Sequence, residues 1–249
     1  MALISNNEIK KVKALQQKKF RDESGLFVVE GEKMVDEAVR SHMHVESVYR
    51  RDEIGEEAMK RISSLASPSP VLAVVRKPSD IIIDDISKLE VPEKGLFLAL
   101  DTIRDPGNLG TILRIADWFG LDAVFAAKDT VDVFNPKVVQ ATMGAVFRVK
   151  MHYVDLPALS QKILKKDGRI YGTFLDGRNI YSRELETGLD RPVMIVIGNE
   201  SEGISDAMAR MVSDRLYIPP YPADEAGSES LNAAVAAAVT IAEFRRRTY

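Results

Sequence analysis

Three segments of this 249-residue chain combine glycine with side chains that donate, accept or carry charge. The first, Asp105-Pro106-Gly107-Asn108-Leu109-Gly110, is followed by Arg114. The second, Gly198-Asn199-Glu200-Ser201-Glu202-Gly203, brackets two carboxylates between glycines. The third opens with Pro219-Pro220-Tyr221-Pro222, passes Gly227 and ends in Ser230-Leu231-Asn232 at the head of an alanine-rich stretch. Glycines permit tight turns and leave backbone amides bare for a ligand. Asn108 and Ser205 suit helix N-caps, and paired acids suit metal binding or general acid–base work. Neither G-x-G-x-x-G nor G-K-[ST] is present in the first segment, so it is neither a dinucleotide fingerprint nor a Walker loop. No octahedral set of acids is assembled, which argues against a dedicated metal site. Taken singly, each segment is also explained by plain structure: a strand–turn–helix corner with Arg114 on a solvated face, a capped turn, a packed core helix.

Other chemistries fall away by composition. The chain has no cysteine, so disulfides, thiolate catalysis, Cys-ligated zinc and iron–sulfur clusters are excluded. Its three histidines, His42, His44 and His152, lie outside the three segments without metal-ligand spacing. Net charge is −3, yet the first 21 residues hold six bases (Lys10, Lys11, Lys13, Lys18, Lys19, Arg21) against one acid, Glu8. Such a cluster can neutralise several phosphates, or simply form a solvated helix face. The longest apolar runs are five to seven residues, against about 20 for a membrane-spanning helix. With no secretory h-region at the start, a cytoplasmic location is expected.

The elements that position these segments follow from periodicity. Residues 1–76 read as a small α/β unit, with helical spacing at Ile9, Val12 and Leu15, strands at Leu26–Val29, Val45–Tyr49 and Val71–Val75, and an amphipathic helix around Met34–Val39. Polar, irregular residues 77–94 read as a linker. From 95 to 249 strands and helices alternate: strands at Leu96–Leu100, Ala123–Ala126, Arg169–Phe174, Val193–Ile197 and Leu216–Ile218, with helices over Leu109–Phe119, from Pro136, and over Leu231–Arg247. That alternation predicts an α/β domain with a mostly parallel sheet and helices on both faces. All three segments directly follow strands, where open α/β sheets bind ligands.

In this order and spacing the segments resemble the three motifs of the SpoU (TrmH-type) branch of SPOUT RNA methyltransferases. Asn135-Pro136-Lys137 and Met143-Gly144-Ala145 are similar to a segment between the first two motifs. Lys11-Val12-Lys13, Lys18-Lys19 and Phe27-Val28-Val29-Glu30-Gly31 resemble the L30e-like substrate-binding domain found in the family. The resemblance implies metal-free 2′-O-methylation of an RNA ribose with S-adenosylmethionine, a homodimer formed through the C-terminal domain, and a C-terminal trefoil knot. It implies cofactor binding by Ile197, Gly198, Asn199, Gly203, Ile218, Leu231 and Asn232, and places Arg114, Asn108, Glu200, Ser230 and Asn232 around the reacting ribose. Lys10, Lys11, Lys13, Lys18, Lys19 and Arg21 are the candidate RNA contacts. Arg114 enters in two versions: a base in a strongly shifted state, or a cation that grips phosphate and stabilises developing alkoxide. The extra domain tilts the expected substrate toward ribosomal rather than transfer RNA. The alternative is a catalytically inactive RNA-binding or ribosome-assembly protein on the same fold.

Overall fold

The computed structural model describes residues 4–182, 184–222 and 230–248; Gly227 of the third segment lies outside them. The chain divides into two compact units, one of residues 1–79 and 132–148, the other of 80–131 and 149–249.

The first unit begins with α1 (Asn6–Ala14), α2 (Lys18–Ser24), β1 (Leu26–Glu30), α3 (Glu32–Arg40), β2 (Val45–Arg50), α4 (Arg51–Ile54), α5 (Glu56–Ile62) and β3 (Val71–Arg76). Its three strands form an antiparallel sheet in the order β1-β3-β2. Ile9, Val12 and Leu15 bury against Val28, Met59, Ile62, Leu72 and Val74. The lysines of the same helices are therefore turned to solvent by the 3.6-residue period. Buried Glu30 is held by the hydroxyls of Ser63 and Ser64 and the Ser64 amide, at 2.6–2.7 Å; a buried carboxylate persists only with such partners.

The second unit contains β4 (Gly95–Leu100), α6 (Pro106–Trp118) and β5 (Ala123–Ala126). Between β5 and the next strand the chain makes an excursion carrying α7 (Pro136–Thr142), which clusters with the first unit. There Phe134 packs on Phe27 with ring centroids 4.5 Å apart, and Arg148 pairs with Glu37. The second unit resumes with β6 (Met151–Tyr153), α8 (Leu156–Lys165), β7 (Arg169–Asn179), β8 (Pro192–Ile197), α9 (Asp206–Ala209), β9 (Asp214–Tyr217) and α10 (Ala233–Arg246). Its sheet runs β6-β5-β4-β8-β7-β9, and every pairing is parallel. Strands β4 and β8 are buried along their whole length, as a sheet covered on both faces requires. β6 and α8 add to the expected elements: β6 is too short for a periodic signal, and α8 shows its apolar stripe at Leu156, Leu159 and Ile163.

Residues 80–94 carry no helix or strand longer than a single 3-10 turn, but they are held. Ile82 bridges to Tyr153, and Ile83, Ile86, Leu89 and Val91 join the core of the second unit. Lys162 Nζ donates to the carbonyls of Ile86, Ser87 and Leu89 at 2.7–3.1 Å, and Lys166 Nζ to that of Val91 at 2.7 Å.

At the other end of the chain, α10 buries Ala237, Ile241 and Phe244, with Phe244 edge-on to Tyr171. Glu243 is buried beside them and accepts hydrogen bonds from Arg246 and Arg247 at 2.8–2.9 Å. The Arg246 hydrogen bonds, followed by those of Arg247, lower its pKa from 4.5 to about 2. A carboxylate depressed in the folded state adds stability above its unfolded value, and that stability is lost as pH falls through the folded value. Denaturant titrations should therefore show wild-type stability declining from pH 4.5 toward 2. Glu243→Gln should be less stable at neutral pH and show a shallower decline over that window; parallel curves would contradict the assignment.

Candidate active site

The sheet order reverses between β4 and β8, since β5 and β6 lie on one side and β7 and β9 on the other. A crevice opens beyond the carboxyl ends of strands at such a reversal. The register Leu100↔Ile197 sets the two strand ends level, so their loops leave side by side.

Side chains stitch these loops together. Asp101 Oδ2 accepts from the Ser205 amide at 2.7 Å, and Asn199 Nδ2 donates to the Thr102 carbonyl at 2.8 Å. Asn199 Oδ1 accepts from the amides of Ser201 and Glu202, while its backbone exchanges hydrogen bonds with Gly203 at 2.9 and 3.0 Å. Gly198 is required by contact: a Cβ there would lie 2.3 Å from the Gly203 carbonyl carbon and 2.4 Å from the Ile204 nitrogen. Gly203 completes the turn at φ +72°. Thr102 sits at φ +64°, a conformation that costs a β-branched residue about 1–3 kcal/mol. Its hydroxyl donates to Asp129 at 3.1 Å.

Two helices begin at this crevice. Asp105, rather than Asn108, caps α6: its Oδ1 accepts from the Asn108 amide at 2.7 Å, with Pro106 in the first turn. The Asn108 side chain is thereby released to donate from Nδ2 to Glu200 Oε1 at 2.7 Å. Asn232 caps α10, accepting the Ala234 and Val235 amides at 3.0 and 3.3 Å, and donates from Nδ2 to Asn108 Oδ1 at 2.8 Å. One residue from each segment thus meets in a continuous chain of hydrogen bonds. Arg104 reaches Glu202 at 3.4 Å across the same loops. Ser205 caps α9 as its type suggests.

Other expected residues lie around this core without joining it. Ile197 is buried at the end of β8, and Ile218 follows β9 at the same end of the sheet, half-buried. Leu231 is 48% exposed and Ser230 is exposed. Arg114 is exposed on α6 and forms no hydrogen bond or ion pair among the described residues. Sequence reasoning missed Asp101, Thr102 and Arg104; the only available signal was their place directly after a buried strand. No group of three or more His, Asp or Glu side chains suited to a metal occurs among the described residues.

In the first unit, Lys10, Lys11, Lys13, Lys18 and Lys19 are exposed, with Lys18 and Lys19 paired to Asp22 and Glu23. Arg21 requires correction as a candidate RNA contact. It is 2% exposed, donates to the Leu15 and Gln16 carbonyls, and forms a salt bridge with Asp132 at 2.7 Å. Buried and paired in this way, its guanidinium is not presented to a phosphate in solvent.

Residues 95–242 match the SpoU rRNA Methylase family and residues 6–94 the MRM3-like substrate binding domain. The chain belongs to the SpoU rRNA methylase family. It is 31% identical to the 23S rRNA (guanosine(2553)-2′-O)-methyltransferase RlmP of Bacillus subtilis, over 96% of each chain. Human mitochondrial rRNA methyltransferase 3 is 26% identical across 94% of this chain and 70% of its own length. The AdoMet-bound rRNA methyltransferase of Sinorhizobium meliloti superposes with a TM-score of 0.83 at 26% identity, covering 100% and 98% of the two chains.

The loop geometry has a direct consequence. Gly198→Ala should push the Gly203–Ile204 peptide away from the end of β8 and lower cofactor affinity more than tenfold in calorimetric titration with S-adenosylmethionine. Wild-type affinity would show that the loop does not hold the cofactor.

Proposed function

We propose that this chain is an S-adenosylmethionine-dependent methyltransferase acting on the 2′-hydroxyl of a ribose in ribosomal RNA. The observation that carries this reading is the meeting of Asn108, Glu200 and Asn232 in one hydrogen-bonded chain at the switch point of a parallel sheet. The Gly198–Gly203 turn, where Gly198 has no room for a Cβ against the Gly203 backbone, and the exposed Leu231 fit a flat heteroaromatic base and a ribose held by backbone groups. Ile197, Asn199, Ile218 and Asn232 complete the set assigned to the cofactor, within the knotted segment that the family resemblance implies.

When bound, S-adenosylmethionine supplies a methyl group already activated on a sulfonium, so the protein has to align a nucleophile and manage one proton. Asn108 and Asn232 each keep one Nδ2 hydrogen to orient the ribose. Arg114 acts as a cation: an exposed guanidinium has five donors and no lone pair, which suits phosphate and developing alkoxide rather than proton removal. Ser230 lines the ribose side. Lys10, Lys11, Lys13, Lys18 and Lys19 bind RNA phosphates from the first unit.

The chain works as a cytoplasmic homodimer. No helix among the described residues is long and apolar enough to cross a membrane. Trp118 at the end of α6, 85% exposed, is the candidate contact. Trp118→Glu should shift the sedimentation coefficient from dimer to monomer; an unchanged dimer would place the interface elsewhere.

The test of function is transfer of labelled methyl from S-adenosylmethionine into unmodified total RNA, followed by fractionation and mapping. Label in ribosomal RNA at an alkali-resistant linkage is expected. Replacing the five lysines with Glu should weaken RNA binding and flatten its salt dependence. Label in transfer RNA would move the substrate, and no label despite cofactor binding would favour an inactive RNA-binding protein.

A further inference from the structure

One turn of the first unit holds a backbone conformation that its own side chain does not explain. Three described residues other than glycine have left-handed backbone, Thr102, Met143 and Asp167, and Met143 is the apolar one among them. It closes α7 at φ 50° and ψ 39°, where a helix ending in this way ordinarily places glycine. Its side chain is 55% exposed, so no core packing offsets the strain. The turn is nevertheless held firmly. Gly144 follows at φ +95°, and the Glu37 carboxylate of α3 fills the space that a Cβ there would need. Arg148 donates to the same carboxylate. A strained backbone that keeps an apolar side chain in solvent points to contact with a partner.

The chemistry of that partner follows from what lies beside Met143. Residues 133–148 contain Lys137 and Arg148 and no acid. On α7, Val138, Val139 and Thr142 are buried, which leaves Lys137 exposed and Gln140 half-buried, at three-residue steps from Met143 along the other side. The Lys137 ammonium and the Gln140 side-chain amide form no hydrogen bond or ion pair among the described residues. A cation, an amide and a flexible thioether in one row match a phosphate, a base edge and a base face. Such a row suits looped or single-stranded RNA, whose bases are unstacked, rather than a duplex, whose major groove is closed to side chains. We infer that Met143 packs on an unpaired base of the ribosomal RNA substrate, with Lys137 on a neighbouring phosphate, an inference that rests on the methyltransferase reading above. Val28 packs with α1, while its neighbour Phe27 faces the other way and carries Phe134. The excursion with α7 therefore lies across the three-stranded sheet from α1, and this contact is separate from the phosphate contacts of Lys10, Lys11 and Lys13.

The experiment measures the affinity of the full chain for in vitro transcribed ribosomal RNA and for a fully paired RNA duplex over a range of salt concentrations. Wild type is compared with Met143→Gly, Met143→Ala, Met143→Leu and Lys137→Gln, alongside melting temperature, sedimentation and calorimetric titration with S-adenosylmethionine. Met143→Gly and Met143→Ala should bind the ribosomal transcript about fivefold or more weakly, and the duplex as wild type does. Met143→Gly should melt no lower than wild type, because glycine adopts the left-handed backbone freely. Met143→Leu should stay within about twofold of wild type, since it keeps a similar apolar volume. Lys137→Gln should weaken binding to both RNAs and reduce the salt slope by about one. Cofactor affinity should be unchanged throughout. Wild-type transcript affinity in Met143→Gly and Met143→Ala, or equal losses on transcript and duplex, overturns the inference. A loss of affinity matched by a fall in melting temperature gives Met143 a structural role, and dissociation into monomers gives it an interface between copies; either overturns it too. If these failures occur while wild type methylates the ribosomal transcript, the methyltransferase reading stands without this contact. A wild type that neither prefers the transcript to the duplex nor methylates it overturns both.

Discussion

The parallel pairing of β4 with β8 is the contact on which the site depends. It joins stretches almost a hundred residues apart, and its register sets Leu100 beside Ile197. Both strands are fully buried, so a slip of one residue would exchange their two core-facing sets and cost the packing on both faces. With the ends level, Asp101 reaches Ser205, Asn199 reaches Thr102 and Asn108 reaches Glu200. None of these side chains is long, and a one-residue displacement of about 3.3 Å would break all three.

The helices that rise from the crevice add direction to that alignment. Asp105 satisfies the first turn of α6, so Asn108 need not cap its own helix and can turn outward. Asn232 does cap α10, and its second function follows from its first: with Oδ1 committed, Nδ2 can only donate away from the helix. The strain at Thr102 is offset in the same network by the hydrogen bond from Asn199 to its carbonyl and by its own bond to Asp129. Strain of this order persists where surrounding contacts over-determine the backbone, which is the situation between these two loops.

Much of this was legible in the sequence because it depends on residue types that little else explains. A glycine with no room for a Cβ (Gly198), one at positive φ (Gly203), and asparagines next to buried strands leave marks that survive in the primary text. The alternation of apolar runs and helical stripes likewise gave the parallel sheet. What could not be read depends on contacts between distant residues. Arg21 stands in a lysine-rich run and looks like its neighbours, yet Asp132, 111 positions away, makes it an internal ion pair. Residues 80–94 have the composition of a linker, and their attachment comes from the Ile82–Tyr153 bridge, from Ile83, Ile86, Leu89 and Val91 in the core, and from Lys162 and Lys166, whose Nζ atoms donate to their carbonyls. The excursion 132–148 falls within the span matching the methylase family but packs with the first unit through Phe134, Asp132 and Arg148, a partition that no local pattern encodes. Thr102 carries no warning at all, because nothing in its type announces a left-handed backbone.

The site therefore divides by when its order is established. Asn108, Asn232 and Glu200 are arranged before any ligand arrives, since each is fixed by hydrogen bonds built into the fold. Arg114 is not; its side chain is free among the described residues and keeps rotamer entropy worth about 2 kcal/mol. Ordering it costs least where a phosphate can take the guanidinium's forked donors in pairs, and most where no anion is present. On the roles proposed above, a preset hydrogen-bond chain combined with a cation ordered by the substrate would favour the reacting geometry when a polyanion is bound, and would leave the site poorly organised toward a neutral alcohol or water.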